Sequence, residues 1–453
     1  MFLLASMFVC IGSHGGGWYR TPGPAGGRPP QNRLRSDSGP LVPLPPVALL
    51  VQKFGGTSVG DPDRIRDVAD HVARCRRRGD DVVLVVSAMG KETDELLRLA
   101  GEVSDTRPGR EMDMLITAGE RKDVALVSMA LHAIGVDAES YTGSQAGFVT
   151  DTNHTNAKIL EVNAERIRDA VDAGRVPVVA GSQGVSTDRD VTFLGRGGSD
   201  TTAVALAKVL GADACELYTD VSGVFTTDPR VVDTARKIHR ISFDEMLEMT
   251  AAGCPKPAMR SVEFAHRHRV PLHVRSAFTW EVGTWVTEED PDMEEAVIRA
   301  VVADLSEAKV TVTGVPDRPG IAANLFRRLA DVDVNVDMIV QNASEGGITD
   351  ISFTVPHSEL EPALRICEEK RAEIGAEQVT GNPRIAKVSV VGAGMKSNPG
   401  VAATMFECLA DNSVNIEMIS TSAIRISCVI AEDDADTAVQ VLHDVFELEK
   451  TEF

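Results

Sequence analysis

The sequence lacks the cysteine pattern of a disulfide framework or a zinc site. Its seven cysteines, at positions 10, 75, 215, 254, 367, 408 and 428, are odd in number, scattered, and never spaced as Cys-x-x-Cys. Scattered thiols without metal-ligand spacing are typical of proteins from a reducing compartment. We therefore predict a cytoplasmic protein without structural disulfides.

Basic residues are also scarce. Lys and Arg number 46 against 67 Asp and Glu, which gives a formal net charge of −21. Such an acidic chain repels phosphate backbones and anionic lipids, which argues against nucleic acid or a membrane as partner. The excess also suits a halophilic cytoplasm, because the Debye length shrinks to about 3 Å at 1 M salt and self-repulsion is screened. An acidic mesophilic enzyme is the alternative.

The N-terminal region lacks the features of a membrane anchor. Residues 1–11 are apolar but too short to span a bilayer, and they lack the positively charged start of a signal peptide. The glycine- and proline-rich residues that follow cannot build a hydrophobic core. We predict a disordered extension over residues 1–46, consistent with an overextended translation start; a secretory leader is the alternative.

From residue 47 onward the pattern alternates between strand and helix. Apolar residues 47–51, 82–86 and 176–180 predict buried strands, while residues 64–78 and 110–134 predict helices. This succession predicts a mostly parallel sheet between helices. Ligands of such folds bind at the carboxyl ends of the strands.

The loop after the first strand has the composition of a phosphate site. Lys53 precedes Gly55 and Gly56, which Thr57 and Ser58 follow. Glycines let backbone amides approach a ligand, while hydroxyls and a lysine suit phosphate oxygens. The loop is not a Walker A motif, since the lysine precedes the glycines. An ordinary strand-to-helix turn is the alternative.

Two later loops also carry ligand-binding residue types. Residues 193–202 form a second glycine-rich loop in which Arg196 offers a bidentate fork for a carboxylate. A flexible surface loop is the alternative there. Residues 217–230 end a strand and continue as a polar turn, in which Phe225 can pack on a base and Arg230 can face a phosphate.

Four segments together carry a family resemblance. They are Lys-Phe-Gly-Gly-Thr-Ser at 53–58, Thr-Ala-Gly-Glu at 117–120, Gly-Arg-Gly-Gly-Ser-Asp-Thr-Thr at 195–202, and Thr-Asp-Val-Ser-Gly-Val-Phe-Thr-Thr-Asp-Pro-Arg at 219–230. In this order and approximate spacing they resemble aspartate kinase, an enzyme of the amino-acid kinase fold. The ordered set is far more specific than any one motif.

The resemblance implies transfer of the ATP γ-phosphoryl group to the β-carboxylate of L-aspartate. The product, 4-phospho-L-aspartate, begins lysine, threonine and methionine biosynthesis. The implied cofactors are ATP and Mg²⁺, the latter bound through the phosphates. Phosphoryl transfer depends on positioning and charge neutralisation, which suits lysines and amide-rich loops.

The resemblance also implies a role for each matching residue. The phosphates are bound by Lys53, Gly55, Gly56, Thr57 and Ser58. Glu120 holds the α-ammonium of aspartate and Arg196 clamps a carboxylate, with help from Ser199 and Thr93. The nucleotide side comprises Thr219, Asp220, Phe225 and Arg230. The alternatives are a solvated helix charge for Glu120 and a simple helix cap for Thr93.

Two departures from the family pattern affect the nucleotide side. Phe225 stands where the family often has tyrosine, so a hydroxyl contact is lost. The segment that usually reads Gly-Ala-Lys-Val-Leu-His-Pro-Arg is here Gly-Cys-Pro-Lys-Pro-Ala-Met-Arg, at 253–260. Its lysine is displaced by one position between two prolines. We still expect Lys256 to reach the ATP phosphates, because prolines favour an extended path.

The C-terminal part contains an internal repeat. Residues 319–326 recur as 399–406, and residues 334–339 recur as 414–419, with the same offset of 80 residues. Each copy has the pattern strand, helix, strand, strand, helix and closing strand, which predicts a ferredoxin-like βαββαβ domain.

The repeat resembles the ACT domain, which binds amino acids at subunit or domain interfaces. The loops before the first helices present free amides for an effector carboxylate. The candidate effector residues are Asp317, Gly320, Ile321, Gln341, Asn342, Asn398, Gly400 and Val401. The resemblance implies a homo-oligomer, at least a dimer, that is inhibited by lysine, threonine or both. Dimerisation without regulation is the alternative.

The predicted fold class is α/β: a three-layer amino-acid kinase fold followed by two ferredoxin-like ACT domains. The expected boundaries are an extension over 1–46, a catalytic domain over 47–287, a linker over 288–304, and ACT domains over 305–383 and 384–453. Two other functions stay open: another kinase of this fold, acting on acetylglutamate, glutamate, carbamate or UMP, and a non-catalytic amino-acid sensor.

Overall fold

The computed structural model describes residues 48–288, 297–342 and 346–450. The strands up to residue 288 are β1 Leu49–Phe54, β2 Asp81–Val86, β3 Ala138–Tyr141, β4 Phe148–Thr150, β5 Ile159–Val162, β6 Val176–Ala180, β7 Gln183–Ser186, β8 Val191–Phe193, β9 Ala214–Thr219, β10 Val224–Phe225, β11 Lys237–Ile238, β12 Arg240–Ser242, β13 Leu272–Ser276 and β14 Thr284–Thr287. The helices are α1 Pro62–Arg78, α2 Glu92–Val103, α3 Gly109–Ala133, α4 Glu165–Asp172, α5 Gly198–Leu210, α6 Phe243–Ala251 and α7 Met259–His268.

A mostly parallel sheet organises this half, as predicted. Eight strands lie in the order β12-β14-β13-β9-β1-β2-β6-β3, with β13 and β14 as an antiparallel pair. Alternate side chains of β2 point to opposite faces. Val83 and Val85 pack with α4, α5 and α7, while Val82 and Leu84 pack with α1 and α3. The sheet is thus the middle of three layers.

Local sequence signals define α1. The Asp61 side chain accepts a hydrogen bond of 2.9 Å from the backbone N–H of Arg64, and Pro62 occupies the first turn. Gly79 ends the helix in the left-handed conformation, with φ of 97°. Between these ends Ile65 and Val72 are buried. The prediction of a helix over 64–78 is confirmed.

The remaining elements form two small α/β domains. They are β15 Ala300–Asp304, β16 Glu307–Pro316, α8 Ile321–Ala330, β17 Ile339–Gln341, β18 Ile348–Pro356, α9 Leu360–Ile374, β19 Gln378–Asn382, β20 Ile385–Val391, α10 Val401–Asp411, β21 Met418–Thr421, β22 Arg425–Ala431 and α11 Ala435–Val445. One sheet has the order β17-β18-β16-β19, as in a ferredoxin-like domain. Its core includes Leu325, Leu329 and Phe353.

The second repeat departs from the expected closing strand. Its sheet has the order β15-β20-β22-β21, so the fourth strand comes from residues that precede the first repeat. Ala300 pairs with Val391 and Asp304 with Lys387, in antiparallel register. Through residue 450, where the description of the chain stops, no strand follows α11. Residues 300–304 of the predicted linker are therefore part of this sheet.

A buried lysine joins the two repeats to the catalytic half. Only 1% of the Lys387 side chain is exposed. Its Nζ lies 2.5 Å from Glu307 Oε1, 2.6 Å from Asp337 Oδ2 and 3.3 Å from the backbone oxygen of Ala251, the last residue of α6. Burial alone would lower the pKa of Lys387, but the two carboxylates outweigh burial and raise it. Lys387 is therefore charged and fully paired.

We expect Lys387→Met to destabilise the protein by about 3 kcal/mol, because removing one partner of a buried ion pair leaves the other charges uncompensated. The unfolding midpoint in urea should fall accordingly. Lys370→Met is the matched control: Lys370 pairs with Glu373, whose side chain is half exposed. That variant should shift the midpoint far less. Equal shifts for the two variants would contradict the account of Lys387.

Some predictions fall outside the described residues. These are the N-terminal extension over 1–46 and most of the acidic stretch 288–295. Six cysteines lie within the described ranges, and all six are free thiols. Over the same ranges, no helix combines the length and the apolar character that crossing a bilayer requires.

Candidate functional site

A buried ion pair lies at the carboxyl end of β1. Lys53 Nζ is 2.6 Å from Asp200 Oδ1, and the two side chains are 8% and 4% exposed. Lys53 comes from the central sheet, and Asp200 from the first turn of α5. A lysine held at the end of a central parallel strand can meet a ligand at the edge where such folds bind ligands.

Asp200 contacts residues 253–260, the segment that departs from the family pattern. Its Oδ2 accepts a hydrogen bond of 3.2 Å from the backbone N–H of Ala258. Burial opposes ionisation of Asp200, but the charges of Lys53 and Lys256 outweigh burial and lower its pKa. Lys256 is exposed, and its charge acts on the same carboxylate as Lys53. Lys256, the lysine that is displaced in the sequence motif, therefore lies near the Lys53–Asp200 pair.

The predicted phosphate loop is a tight turn beside Lys53. A Cβ at Gly55 would lie 3.5 Å from Lys53 Nζ, and a Cβ at Gly56 would lie 2.5 Å from the backbone oxygen of Ala88. Gly56 therefore has no room for a side chain. Residues 56–59 form a 3-10 helix that contains Thr57 and Ser58. The Ser58 hydroxyl is buried without a hydrogen-bond partner, and a ligand oxygen would satisfy it.

Two buried carboxyl groups of α3 lie against the loop that follows β2. Burial is the main cause that raises the pKa of Glu120 to about 7, with contributions from the Asp123 and Glu92 charges. Burial also raises the pKa of Asp123 to about 6, although Lys122 opposes the shift. Asp123 Oδ2 accepts a hydrogen bond of 2.5 Å from the backbone N–H of Met89. Glu120 Oε2 is buried without a partner.

The predicted aspartate clamp lies on an exposed loop. The Arg196 side chain is 91% exposed, and its Nη2 is 3.7 Å from Asp94 Oδ1 in the first turn of α2. Thr93 is half-buried in the same turn. Ser199 is buried at the start of α5, where its hydroxyl is 2.9 Å from that of Ser182. The structure thus brings Arg196 beside Asp94, the residue that follows Thr93, while Ser199 lies in the first turn of α5.

The predicted nucleotide residues follow β9. Thr219 is buried, and its hydroxyl donates a hydrogen bond of 2.9 Å to Asp220 Oδ1. Phe225 lies in the short strand β10, which pairs with β11. Arg230 is exposed and bonds to Asp228 by two nitrogens, at 3.0 Å and 2.6 Å. These residues belong to one continuous segment, 219–230. The Arg230 side chain is held by Asp228 within that segment, and not by Lys53 or Asp200.

Four of the eight predicted effector residues lie at the expected helix starts. Gly320 and Gly400 precede α8 and α10 with φ of 95° and 126°, so each favours glycine. Ile321 and Val401 are the first residues of those helices. The other four predicted positions lie in loops or at a strand end: Asp317, Gln341, Asn342 and Asn398.

Sequence reasoning missed the contacts that three residues make around the predicted site. Asp200 was part of a recognised motif, but its pairing with Lys53 was not predicted. Asp123 accepts a hydrogen bond from Met89 in the loop that follows β2. Its position three residues after Glu120 on the same helix was the sequence signal that could have indicated it. Arg260 donates to the backbone oxygens of Leu194 and Ala157, at 2.8 Å and 2.9 Å. No sequence pattern pointed to that pair of acceptors.

Comparisons with known proteins agree with this geometry. Residues 48–276 match the amino acid kinase family, and residues 310–370 and 388–446 match an ACT domain. The aspartokinase of Corynebacterium efficiens is 52% identical over 407 residues, which cover 89% of this chain and 97% of the relative. This chain belongs to the aspartokinase family. A second aspartokinase, from Mycolicibacterium smegmatis, is 53% identical over the same shares.

A solved aspartokinase shares the architecture as well. The crystal structure of E. coli aspartokinase III in complex with aspartate and ADP has a TM-score of 0.76 and 25% identity, with 88% of this chain and 99% of that chain covered. The predicted fold class, an amino-acid kinase domain followed by ACT domains, is therefore confirmed. The residue assignments within the aspartokinase site stay predictions.

Proposed function

We propose that this protein is an aspartate kinase that transfers the ATP γ-phosphoryl group to the β-carboxylate of L-aspartate. A carboxylate oxygen attacks the γ-phosphorus, the bond to the β-phosphate oxygen breaks, and ADP leaves with 4-phospho-L-aspartate as the product. The proposal rests above all on Lys53, which is ion-paired with Asp200 beside the glycine loop. The aspartokinase relatives support the choice of substrate.

Each site group has a proposed part in this reaction. Lys53 and Lys256 neutralise the phosphates, and Gly55, Gly56, Thr57 and Ser58 surround them. Arg196 binds a carboxylate of aspartate with help from Thr93 and Ser199, and Glu120 binds its α-ammonium. The adenosine side is bound by Thr219, Asp220, Phe225 and Arg230. Preorganised charges of this kind carry most of the catalysis in phosphoryl transfer.

Mg²⁺ is the proposed second cofactor. Hydroxyl and carboxylate oxygens at Ser58, Thr219 and Asp220 are the ligand types that Mg²⁺ accepts, so the residues fit this ion. Mg²⁺ usually keeps phosphate oxygens and waters as further ligands, and it would shield the charge of the transferred group. Within the described ranges, no three His, Cys, Asp or Glu residues cluster as a metal site by themselves.

One assay tests the proposed function. Hydroxylamine converts an acyl phosphate into a hydroxamate, so ATP, Mg²⁺ and hydroxylamine are combined with L-aspartate, L-glutamate, N-acetyl-L-glutamate or no acceptor. We expect ADP and hydroxamate in equal amounts with L-aspartate, and far less with the others. Preference for another acceptor would indicate a different kinase of this fold. Binding of an amino acid without ADP release would indicate a sensor.

Glu120 should make activity depend on pH. Its pKa is raised to about 7, so the carboxyl group is protonated, and unable to pair with an ammonium, at lower pH. We expect kcat/KM for aspartate to fall as pH decreases below about 7 and to level off above it, because this parameter reports the free enzyme. Glu120→Gln should lower kcat/KM and remove its decrease at low pH. If the decrease at low pH were unchanged in Glu120→Gln, the assignment of Glu120 would be contradicted.

Regulation by an amino acid is the proposed role of the ACT pair, with lysine, threonine or both as inhibitors of a biosynthetic enzyme. Contacts between α6 and the second ACT domain support a coupling route. Glu245 Oε1 is 3.1 Å from Arg299 Nε, and Glu248 Oε2 is 3.1 Å from Arg425 Nη1. Four residues separate the end of α6 from Lys256. Inhibition by either amino acid at millimolar concentration would support this role, and absence of both binding and inhibition would refute it.

Three broader expectations accompany the proposal. A homo-oligomer, at least a dimer, follows from the tandem ACT domains. A cytoplasmic location follows from the cysteine pattern, and adaptation to high salt follows from the net charge of −21. Activity and stability that are the same in low and high salt would refute the last expectation.

A further inference from the structure

Arg260 contacts the start of the loop that carries Arg196 and a second segment that packs against this loop. It lies in the first turn of α7, where its Nη1 donates to the backbone oxygen of Leu194 at 2.8 Å and its Nη2 donates to that of Ala157 at 2.9 Å. The Arg196 loop comprises residues 194–197, between β8 and α5, so Leu194 is its first residue; Ala157 belongs to the segment between β4 and β5. A planar guanidinium holds two acceptors in a fixed geometry, which a lysine does not.

The Arg196 loop packs closely against two residues, Ala258 at the start of α7 and Asn156 next to Ala157. A Cβ at Gly197 would lie 2.5 Å from Ala258 Cβ, and a Cβ at Gly195 would lie 2.9 Å from Asn156 Oδ1. Both glycines have positive φ, 86° at Gly195 and 73° at Gly197. The backbone of the loop is therefore confined on two sides, by Ala258 and by Asn156, and the Arg260 side chain connects these sides through its bond to Ala157.

The side chain of Arg196 does little to fix its own position. It is 91% exposed, and its ion pair with Asp94 is long at 3.7 Å. Its location relative to Glu120 and Thr93 therefore depends on the backbone of the loop. Small displacements of a substrate-binding group are costly in enzymes, since binding and orientation depend on distances of about 3 Å.

We propose that Arg260 is a positioning residue for aspartate, which holds the Arg196 loop in place by bridging Leu194 and Ala157. This inference rests on the proposed function. Arg260 need not touch aspartate itself, because it acts through Arg196. The Lys53–Asp200 pair has an anchor that does not use the Arg260 guanidinium, since the backbone N–H of Ala258 bonds to Asp200 and Asp200 pairs with Lys53. Loss of Arg260 should therefore affect aspartate more than ATP.

The test compares steady-state kinetics of Arg260→Ala, Arg260→Lys and the control Arg267→Ala, which removes an exposed arginine from the same helix. For Arg260→Ala we expect KM for aspartate to rise about 30-fold, with KM for ATP changed less than about twofold. Arg260→Lys, which can keep one carbonyl bond, should be intermediate. Arg267→Ala should match the parent protein. Should Arg260→Ala not fold, Arg260→Lys carries the comparison.

A double-mutant cycle separates positioning from general loss of structure. If Arg260 acts through Arg196, Arg260→Ala should change KM for aspartate by less than about twofold in an Arg196→Ala background. An undiminished effect in that background, or equal rises in KM for aspartate and ATP, would overturn the proposal. So would an unchanged KM for aspartate in Arg260→Ala. Failure of the parent protein to phosphorylate aspartate would instead refute the proposed function itself.

Discussion

Replacing Lys53 with methionine should lower kcat for aspartate phosphorylation by about 1,000-fold, the loss typical of removing a preorganised charge from a transition state. Lys53 Nζ lies beside the glycine loop at the end of a central strand, and its side chain is only 8% exposed. A charge fixed in this environment acts on the γ-phosphoryl group with little screening by water. The measurement is the hydroxamate assay at saturating ATP and aspartate.

The stability of the Lys53 variant must be controlled, because Asp200 would be left buried without its partner. Breaking such a pair costs about 3–5 kcal/mol. The double variant Lys53→Met/Asp200→Asn removes both charges and should fold while staying inactive. Lys208→Ala, which removes an exposed lysine from α5, should keep parental activity. Near-parental kcat in a folded Lys53 variant would contradict the proposed site.

Replacing Arg196 with alanine should raise KM for aspartate by about 100-fold, because a bidentate charge-assisted contact to a carboxylate is lost. The melting temperature should stay unchanged, since 91% of the side chain is exposed. Arg196→Lys keeps the charge but not the planar fork, so it should recover only part of the affinity. KM for ATP should change little in both variants.

The matched control for Arg196 is Arg77→Ala. Arg77 is exposed at the end of α1, so its removal changes the net charge equally without altering the proposed clamp. If Arg77→Ala raised KM for aspartate as much as Arg196→Ala, the effect would come from long-range electrostatics. The specific role of Arg196 would then be refuted.

Elements with a strong local pattern could be predicted from the sequence. The helices expected over 64–78 and 110–134 are Pro62–Arg78 and Gly109–Ala133, and the strand expected over 82–86 is Asp81–Val86. The apolar patterns of these elements, and the Asp61 cap and Gly79 end of α1, are encoded within a few residues. The repeat offset of 80 residues likewise predicted two related domains.

Pairings between distant residues could not be predicted in this way. Residues 300–304 follow an acidic stretch and were assigned to a linker, but Ala300 pairs with Val391 in the second ACT sheet. Lys53 and Asp200 are likewise far apart in sequence, and only the order of the strands brings them together. A local pattern indicates which residues are apolar or flexible, whereas tertiary topology decides which of them meet.

The raised pKa of Glu120 also could not be predicted from the sequence. Sequence motifs singled out Glu120 because of its position in Thr-Ala-Gly-Glu, but they gave no reason to expect a raised pKa. That shift arises from burial on α3 and from the neighbouring Asp123 and Glu92. Perturbed carboxyl groups in a cleft are frequent at functional sites, so this finding adds physical support for Glu120.

The most direct test of the account follows the oxygen atoms of the acceptor. L-aspartate labelled with ¹⁸O in its β-carboxylate is incubated with ATP, Mg²⁺, hydroxylamine and the protein, and the released phosphate is analysed by mass spectrometry. Attack of the carboxylate on the γ-phosphorus makes a labelled oxygen the bridging atom, and hydroxylamine then releases it with the phosphate. We predict one ¹⁸O per phosphate; unlabelled phosphate would mean that the acceptor is water or the α-carboxylate and would contradict the proposed transfer to the β-carboxylate.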